Sequence, residues 1–454
     1  MMTKNIMSNQ QKMELVMLEQ LVKPNHLLRK IERTIDFTFI YDVVEELYSQ
    51  ETGRPSVDPV VLFKMELIQK LYGIRSLRRL VDDVHHNMAY RWFLGYGITD
   101  SIPDHSVFSQ NKIRRYRDSS KYQEIFELVV KQAIEKGLVK GKIVYTDSTH
   151  IRANASNSKF QSEEVEIIVS KNKNLDRINS VRERHGQKPL KEKEDGIKTK
   201  HKKVSTTDPD CAFMRRDRKP TGFYFLDHVT VDSAYNIILD AFITAGNVHD
   251  AVPYLERLDY IKESYDFPKE LKYACADAGY FNNNVLLGLK ERNLKPIICP
   301  TKFQKKPGKD SKYWFSYDLI EDVYICREGY LLEYKTTKRD GYSEYLSDEE
   351  TCRNCPKKTQ CLLGTNTIRT IRRHVNDEYK DEARAALKEE KGKNLYDRRK
   401  ETVERVFADA KELHGFRYAH FRGQEKVQTE AYLVAIAQNI KKMAIVLDAK
   451  HQGE

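Results

Sequence analysis

Apolar positions recur along this chain at two spacings, one helical and one strand-like, and the switches between them mark its parts. Up to about residue 135 the spacing is helical. Leu15, Val16, Leu18, Leu21 and Val22, then Leu27, Leu28 and Ile31, predict short amphipathic helices. Pro55, Ser56 and Pro59 punctuate the start of VVLFKMELIQKLYG, a helix closed by Gly73. A second helix begins in the stretch Ile74–Leu80 and runs toward Val84. After MAYRWFLGYG, the turn Pro103-Asp104-His105-Ser106 opens a third, SVFSQNKIRRYRDSS. Residues 1–135 thus predict an all-helical domain. Its basic faces at Arg75, Arg78, Arg79, Arg114, Arg115 and Arg117 suit a helix-turn-helix in a DNA groove as well as plain solvated packing.

From Lys142 the period shortens. KIVYTDSTHIRANAS predicts a short apolar strand ending at Asp147. GFYFLDHVTVD and IILDAFITAG, joined at Ala234-Tyr235-Asn236, predict a hairpin. Asp250 stands as N-cap to the helix DAVPYLERLDYIKESY. LKYACADAGY then predicts a strand ending at Asp277, followed by the helix NNNVLLGLKERN and the strand KPIICP. Strands interleaved with helices over 136–300 make a mixed α/β sheet flanked by helices.

Two stretches interrupt it. Residues 156–220 lose periodicity, and between Lys171 and Lys203 there are 12 Lys/Arg against 5 Asp/Glu, a local charge of +7. That composition predicts an exposed, partly disordered insertion, either a tether or an electrostatic grip on DNA. Residues 301–392 predict a small β-rich, cysteine-containing insertion, from Phe315, Tyr317, Val323-Tyr324-Ile325 and Tyr330-Leu331-Leu332. Residues 393–454 return to helix and complete the sheet domain. Val403, Val406, Phe407, Ala410 and Leu413 make one apolar face, and VQTEAYLVAIAQNIKKMAIVL packs back on the core.

Composition narrows the class. A chain of 454 residues calls for more than one core. A net charge of +11 and a pI near 9.0 favour a polyanion, nucleic acid before membrane. The sequence has no run of about 18 apolar residues and no signal-peptide core at its start, which predicts a soluble, cytoplasmic protein associated with the nucleoid. Seven cysteines is an odd number and argues for reduced thiols or a metal. Cys352-x2-Cys355-x5-Cys361, with Cys326 upstream, offers four ligands for a structural Zn²⁺; a reduced thiol cluster is the alternative. Cys211, Cys275 and Cys299 read as ordinary thiols.

Three acids stand out by position: Asp147 and Asp277 on strands and Glu404 on a helix, with Asp232 in reserve. Phosphoryl transfer between nucleic-acid strands uses two divalent ions about 4 Å apart, held by a few carboxylates. Glu404 and Lys411 lie two helical turns apart on one side. Arg398, Arg399, Lys400, Arg405, Arg417 and Arg422 make the surroundings cationic.

TDSTHIRANAS around Asp147, ITAGNVHD ending at Asp250, ADAGY around Asp277, and Glu404-x6-Lys411 followed by HGFRYAHFRG together resemble a bacterial insertion-sequence transposase with a DDE triad on an RNase H-like fold. GRPSVDPVVLFKMELIQKLYGIRSLRRL with PDHSVFS resembles the helical domain such proteins carry. The resemblance implies Asp147, Asp277 and Glu404 as catalytic residues and ligands for Mg²⁺ or Mn²⁺. It implies Tyr396, Arg399 and Lys411 as the signature that handles DNA near the scissile phosphate; Arg417 and Arg422 are expected as further DNA contacts from their charge. The family places its arginine four residues before the glutamate. Here Arg399 is five before Glu404, so Lys400 competes for the role. The implied partners are element ends and target DNA, bound by a homodimer. An inactive DNA-binding relic and a nuclease without strand transfer are the alternatives.

Overall fold

The computed structural model describes residues 13, 15–49, 56–115, 120–215, 220–300, 314–362 and 365–452. Pro55 and Arg117 lie outside them, as does the side chain of Arg114. The N-terminal region is helical: α1 (Leu18–Leu21), α2 (Leu27–Thr34), α3 (Phe39–Val44), α4 (Pro59–Leu71), α5 (Leu77–His86), α6 (Met88–Leu94), α7 (His105–Arg114) and α8 (Lys121–Glu135). The long strand β1 (Ile143–Arg152) follows, then β2 (Phe160–Val169), α9 (Leu175–Arg184), β3 (Gly196–Ser205) and β4 (Ala212–Met214). Next come β5 (Gly222–Asp232), β6 (Ile238–Ala245), α10 (Tyr254–Ser264), β7 (Tyr273–Ala276), α11 (Asn283–Glu291) and β8 (Lys295–Ile298). The second interruption holds β9 (Ser316–Asp318), β10 (Val323–Ile325), β11 (Leu331–Thr337), β12 (Tyr342–Ser347), α12 (Glu349–Arg353), α13 (Lys358–Cys361) and β13 (Thr370–His374). The chain ends in α14 (Asp377–Lys388), α15 (Glu390–Asp397), α16 (Val403–Glu412) and α17 (Gln424–Gln452).

These elements form two compact units. One takes the chain up to Phe160, Ser205–Cys275 and everything from Asp397; the other takes Gln161–Val204 and Ala276–Tyr396. In the first, β5 pairs antiparallel with β1 on one side and with β4 and β6 on the other, and β7 lies beyond β1. The fold is the expected mixed α/β sheet flanked by helices, with a helical N-terminal region. β5 is buried along nearly its whole length, as a central strand of Phe, Leu, Val and Thr should be.

Helices cover this sheet. α16 packs on β1 and β5, while α17 packs on β6 and also on α2, α4 and α8. Asp58 starts α4 by accepting from the Val60 and Val61 amides, with Pro59 in the first turn, a cap worth about 1 kcal/mol. Inside this core Lys70 of α4 meets Glu430 of α17 at 2.6 Å, both buried. The positive charge holds the Glu430 carboxyl down at about 2 despite its burial. Gly73 (φ +62°) closes α4, and a Cβ there would stand 2.9 Å from the Leu413 carbonyl oxygen; only glycine lets the two backbones meet.

In the second unit, β13-β12-β11-β10-β9 form an antiparallel sheet around Phe315, Tyr324, Leu332, Tyr345 and Ile371. The basic stretch expected to be partly disordered instead carries β2, α9, β3 and β4. Its periodicity is faint because β2 is exposed at every position, and β3, its partner in a two-stranded ribbon, is buried only at Val204 and Ser205. α9 docks on β11: Arg182 donates to the Thr337 carbonyl, and His185 stacks on Tyr334 at 3.7 Å while bonding Asp322.

Candidate active site

β1 does not stop at Asp147. It runs five residues further because Thr149 and Ile151 keep the alternating pattern and β5 offers backbone partners out to Tyr224, opposite Arg152. Asp147 therefore sits in mid-strand, on the face that α16 covers. A 3-10 turn (Arg398–Glu401) precedes α16, and Thr402 breaks the two apart at φ −105°, ψ −100°. That break absorbs the extra residue between arginine and glutamate. It turns Arg399 inward, buried, and leaves Lys400 exposed. The turn is tethered to the sheet: Arg398 donates to the Ser233 carbonyl at 2.8 Å, and Asn236 donates to that of Glu401 at 2.9 Å.

The Arg399 guanidinium donates to Asp147 Oδ2 at 2.8 Å and stands 3.8 Å from Glu404 Oε1. Two carboxylates from distant parts of the sequence thus share one buried cation, with Glu404 itself about half exposed. The other Asp147 oxygen accepts from the Ser148 amide at 2.8 Å. Burial raises the Cys275 thiol to about 12, opposed by the positive charge of Arg399 and Arg398, so these guanidinia also lie within electrostatic reach of β7. Asp277 follows β7, accepts from the Gly279 amide at 2.7 Å and caps a 3-10 turn, Ala278–Tyr280. It belongs to the other unit, as does half-buried Tyr396.

Lys411, two turns along α16, donates to Thr149 Oγ1. Thr149 lies opposite Asp227 of β5, a buried acid that sequence reading passed over. Asp227 Oδ1 has no hydrogen-bond partner; burial raises its carboxyl to about 7, with Lys411 pulling it down and Asp240 pushing it up. An acid in the otherwise apolar run FYFLDHVTV was the available signal. Asp232, the reserve, is a structural acceptor for the Gly141 and Ala234 amides. Asp250 does not cap α10, which starts at Tyr254 after Pro253; it accepts instead from Ser148 Oγ at 2.7 Å. Arg417 and Arg422 are exposed on the loop after α16.

Cys326, Cys352, Cys355 and Cys361 line one cavity in the second unit with Phe315, Leu332 and Leu362. All are free thiols, and Cys352 Sγ donates to Ser347 Oγ at 3.0 Å. Among the described residues no group of three or more His, Cys, Asp or Glu is arranged to hold a metal ion. Nor is any described helix long and apolar enough to cross a membrane.

The arrangement is thus a mixed sheet with two acids, Asp147 and Glu404, brought together on a helix-covered face. Residues 16–114 match the family model described as "Transposase domain (DUF772)", and residues 325–444 match "Transposase DDE domain". The second match falls on the stretch that carries Glu404 and Lys411, and its description is that of the family the sequence resembles. Similar solved structures include a piggyBac transposase synaptic complex with hairpin DNA, at 10% identity and TM-score 0.39, over 94% of this chain and 76% of that one. The Mos1 mariner paired end complex with Mn is similar at 9% identity and TM-score 0.17, over 55% of this chain and 62% of that one. A search of curated proteins finds no match.

Proposed function

We propose that this protein is a DNA transposase that cuts the ends of its element and joins them to target DNA. Asp147, Asp277 and Glu404 act as its catalytic carboxylates. The observation that carries the reading is Asp147 and Glu404 meeting on one guanidinium, within a chain whose residues 325–444 match a transposase DDE domain. A hard divalent cation suits the same donors, because the place between them already holds positive charge. Bound Mg²⁺ or Mn²⁺ would lower the pKa of a coordinated water or hydroxyl and stabilise charge on the phosphate oxygens.

The protein's own groups divide the remaining work. The three carboxylates fix the attacking oxygen in line with the phosphorus–oxygen bond that breaks. In the first step that oxygen belongs to water, and the bond broken frees a 3′-hydroxyl. In the second the 3′-hydroxyl attacks a target phosphodiester and displaces a new 3′-oxygen. Arg399 and Lys411 face the negative charge that builds on the phosphate, the kind of fixed donor whose loss costs about 100-fold or more. Tyr396, Lys400, Arg417 and Arg422 extend the grip on the DNA backbone, and the two ends are held by two copies of the chain. Zinc at Cys326, Cys352, Cys355 and Cys361 would be a structural staple and takes no part in this chemistry.

The test uses a plasmid carrying the sequences that flank the coding region, with Mg²⁺. Asp277→Asn should abolish strand cleavage and leave DNA binding intact. Cleavage that survives the change removes Asp277 from the triad. Cleavage of the native protein without joined product would make the protein a nuclease, and binding without cleavage an inactive relic.

A further inference from the structure

Beyond the carboxylates, cations are strung along β1. Arg399 meets Asp147, Lys411 meets Thr149, and at the strand's end the Arg152 amide donates to the Arg417 carbonyl at 3.2 Å. Asp147 and Arg152 are five residues apart, about 17 Å at 3.4 Å per residue. The line ends at the loop 413–423.

That loop is held from several sides. The Ala419 amide donates to the Arg152 carbonyl at 2.9 Å, Asn154 donates to the His420 carbonyl at 2.9 Å, and Arg422 Nε to that of Asn154 at 2.9 Å. Gly423 and Gln424 amides donate to Asp208 and Asp210. The His420 amide donates to buried Glu430, the carboxylate that Lys70 neutralises. This well-tied backbone nevertheless presents two rings to solvent, with Tyr418 52% and Phe421 36% exposed, and the Arg152 guanidinium lies 5.9 Å from the Tyr418 ring centroid. Arg417 and Arg422 flank them. The ion pair of Arg417 with Glu412 is exposed at both ends and easily traded for a phosphate.

We propose that Tyr418 and Phe421 form a stacking platform for unpaired bases of a DNA strand. Arg417, Arg422 and Arg152 hold its phosphates. Two rings set among arginines fit a strand with exposed base faces and a charged backbone better than an apolar protein surface. The proposal rests on the transposase reading for its biological setting, but its test does not need catalysis. Stacking tolerates any base, so the probe is an oligothymidylate bearing one 2-aminopurine, added to the full chain.

The native protein should quench the probe. Tyr418→Ala and Phe421→Ala should each weaken binding about fivefold or more without moving the salt slope. Tyr418→Trp should restore affinity and Tyr418→Leu should not. Arg417→Ala and Arg422→Ala should each reduce the slope of log affinity against log salt by about 0.7. Native affinity in Tyr418→Leu, or tighter binding of blunt duplex than of single strand, overturns the platform. Probe binding needs neither metal nor cleavage, so a failed cleavage assay and a failed platform give different results.

Discussion

The carboxylates of the first unit and the thiols of the second were both marked by sequence as metal ligands, and the structure treats them in opposite ways. Asp147 and Glu404 meet a counter-charge on a partly buried face, the Arg399 guanidinium at 2.8 Å and 3.8 Å. The four cysteines instead line an apolar cavity beside Phe315 and Leu332, with Lys358 and Arg369 at its wall. We expect the first to exchange its cation for a metal ion and the second to be held by packing.

The largest expected effect tests that exchange. Arg399→Ala leaves Asp147 and Glu404 without their shared cation. Both keep some solvent access, so the loss without metal should be about 1–2 kcal/mol rather than the 3–5 of a fully buried pair. Millimolar Mg²⁺ should then raise the unfolding temperature of the variant more than that of the native chain, because the ion no longer competes with a guanidinium. DNA cleavage should still fall about 100-fold, since the phosphate also loses that donor. Equal Mg²⁺ shifts in the two proteins would mean that the guanidinium does not stand in for a cation.

Much of this was legible in the sequence because local pattern and fold agreed. The β5–β6 hairpin, the helix carrying Glu404 and Lys411, and strands β7 and β8 all follow their periodicity. What failed to show depended on long-range partners. β1 runs past Asp147 only because β5 is there to pair with Thr149 to Arg152. Asp250 is taken from its cap by Ser148, 102 residues away in sequence. Which of Arg399 and Lys400 turns inward follows a backbone break at Thr402, and spacing alone carries no trace of it. The ribbon β2–β3 shows the converse case, in which secondary structure forms with almost no buried face to leave an apolar period.

Asp227 sharpens the comparison, since it is a buried acid on the same unit that is neutralised largely by a proton. Lys411 and Asp240 act on it with opposite signs, and burial dominates, giving about 7 against about 3.9 in an unfolded chain. Between those values the folded protein holds a proton that the unfolded chain has released. The native chain therefore loses stability as pH rises from about 4 to 7, and the loss levels off above 7. Asp227→Asn removes this dependence. From pH 5 to pH 7 the native protein should lose about 2 kcal/mol relative to the variant in chemical unfolding. Parallel curves for the two proteins over that range would show that Asp227 is ionised in the folded state.

The smallest effect is expected in the thiol cavity, and there a small value is the informative one. Cys355 is half-buried and makes no hydrogen bond through its side chain that fixes its place, so Cys355→Ala removes only a sulfur from an apolar wall. A loss under about 1 kcal/mol is the expected result, with no change in unfolding temperature on adding a chelator. Stoichiometric zinc in the purified chain, together with a loss of several kcal/mol on either treatment, would make the cavity a structural metal site after all. The contrast would then lie elsewhere: both regions would be built around cations, with the guanidinium site alone carrying its own cation in the chain.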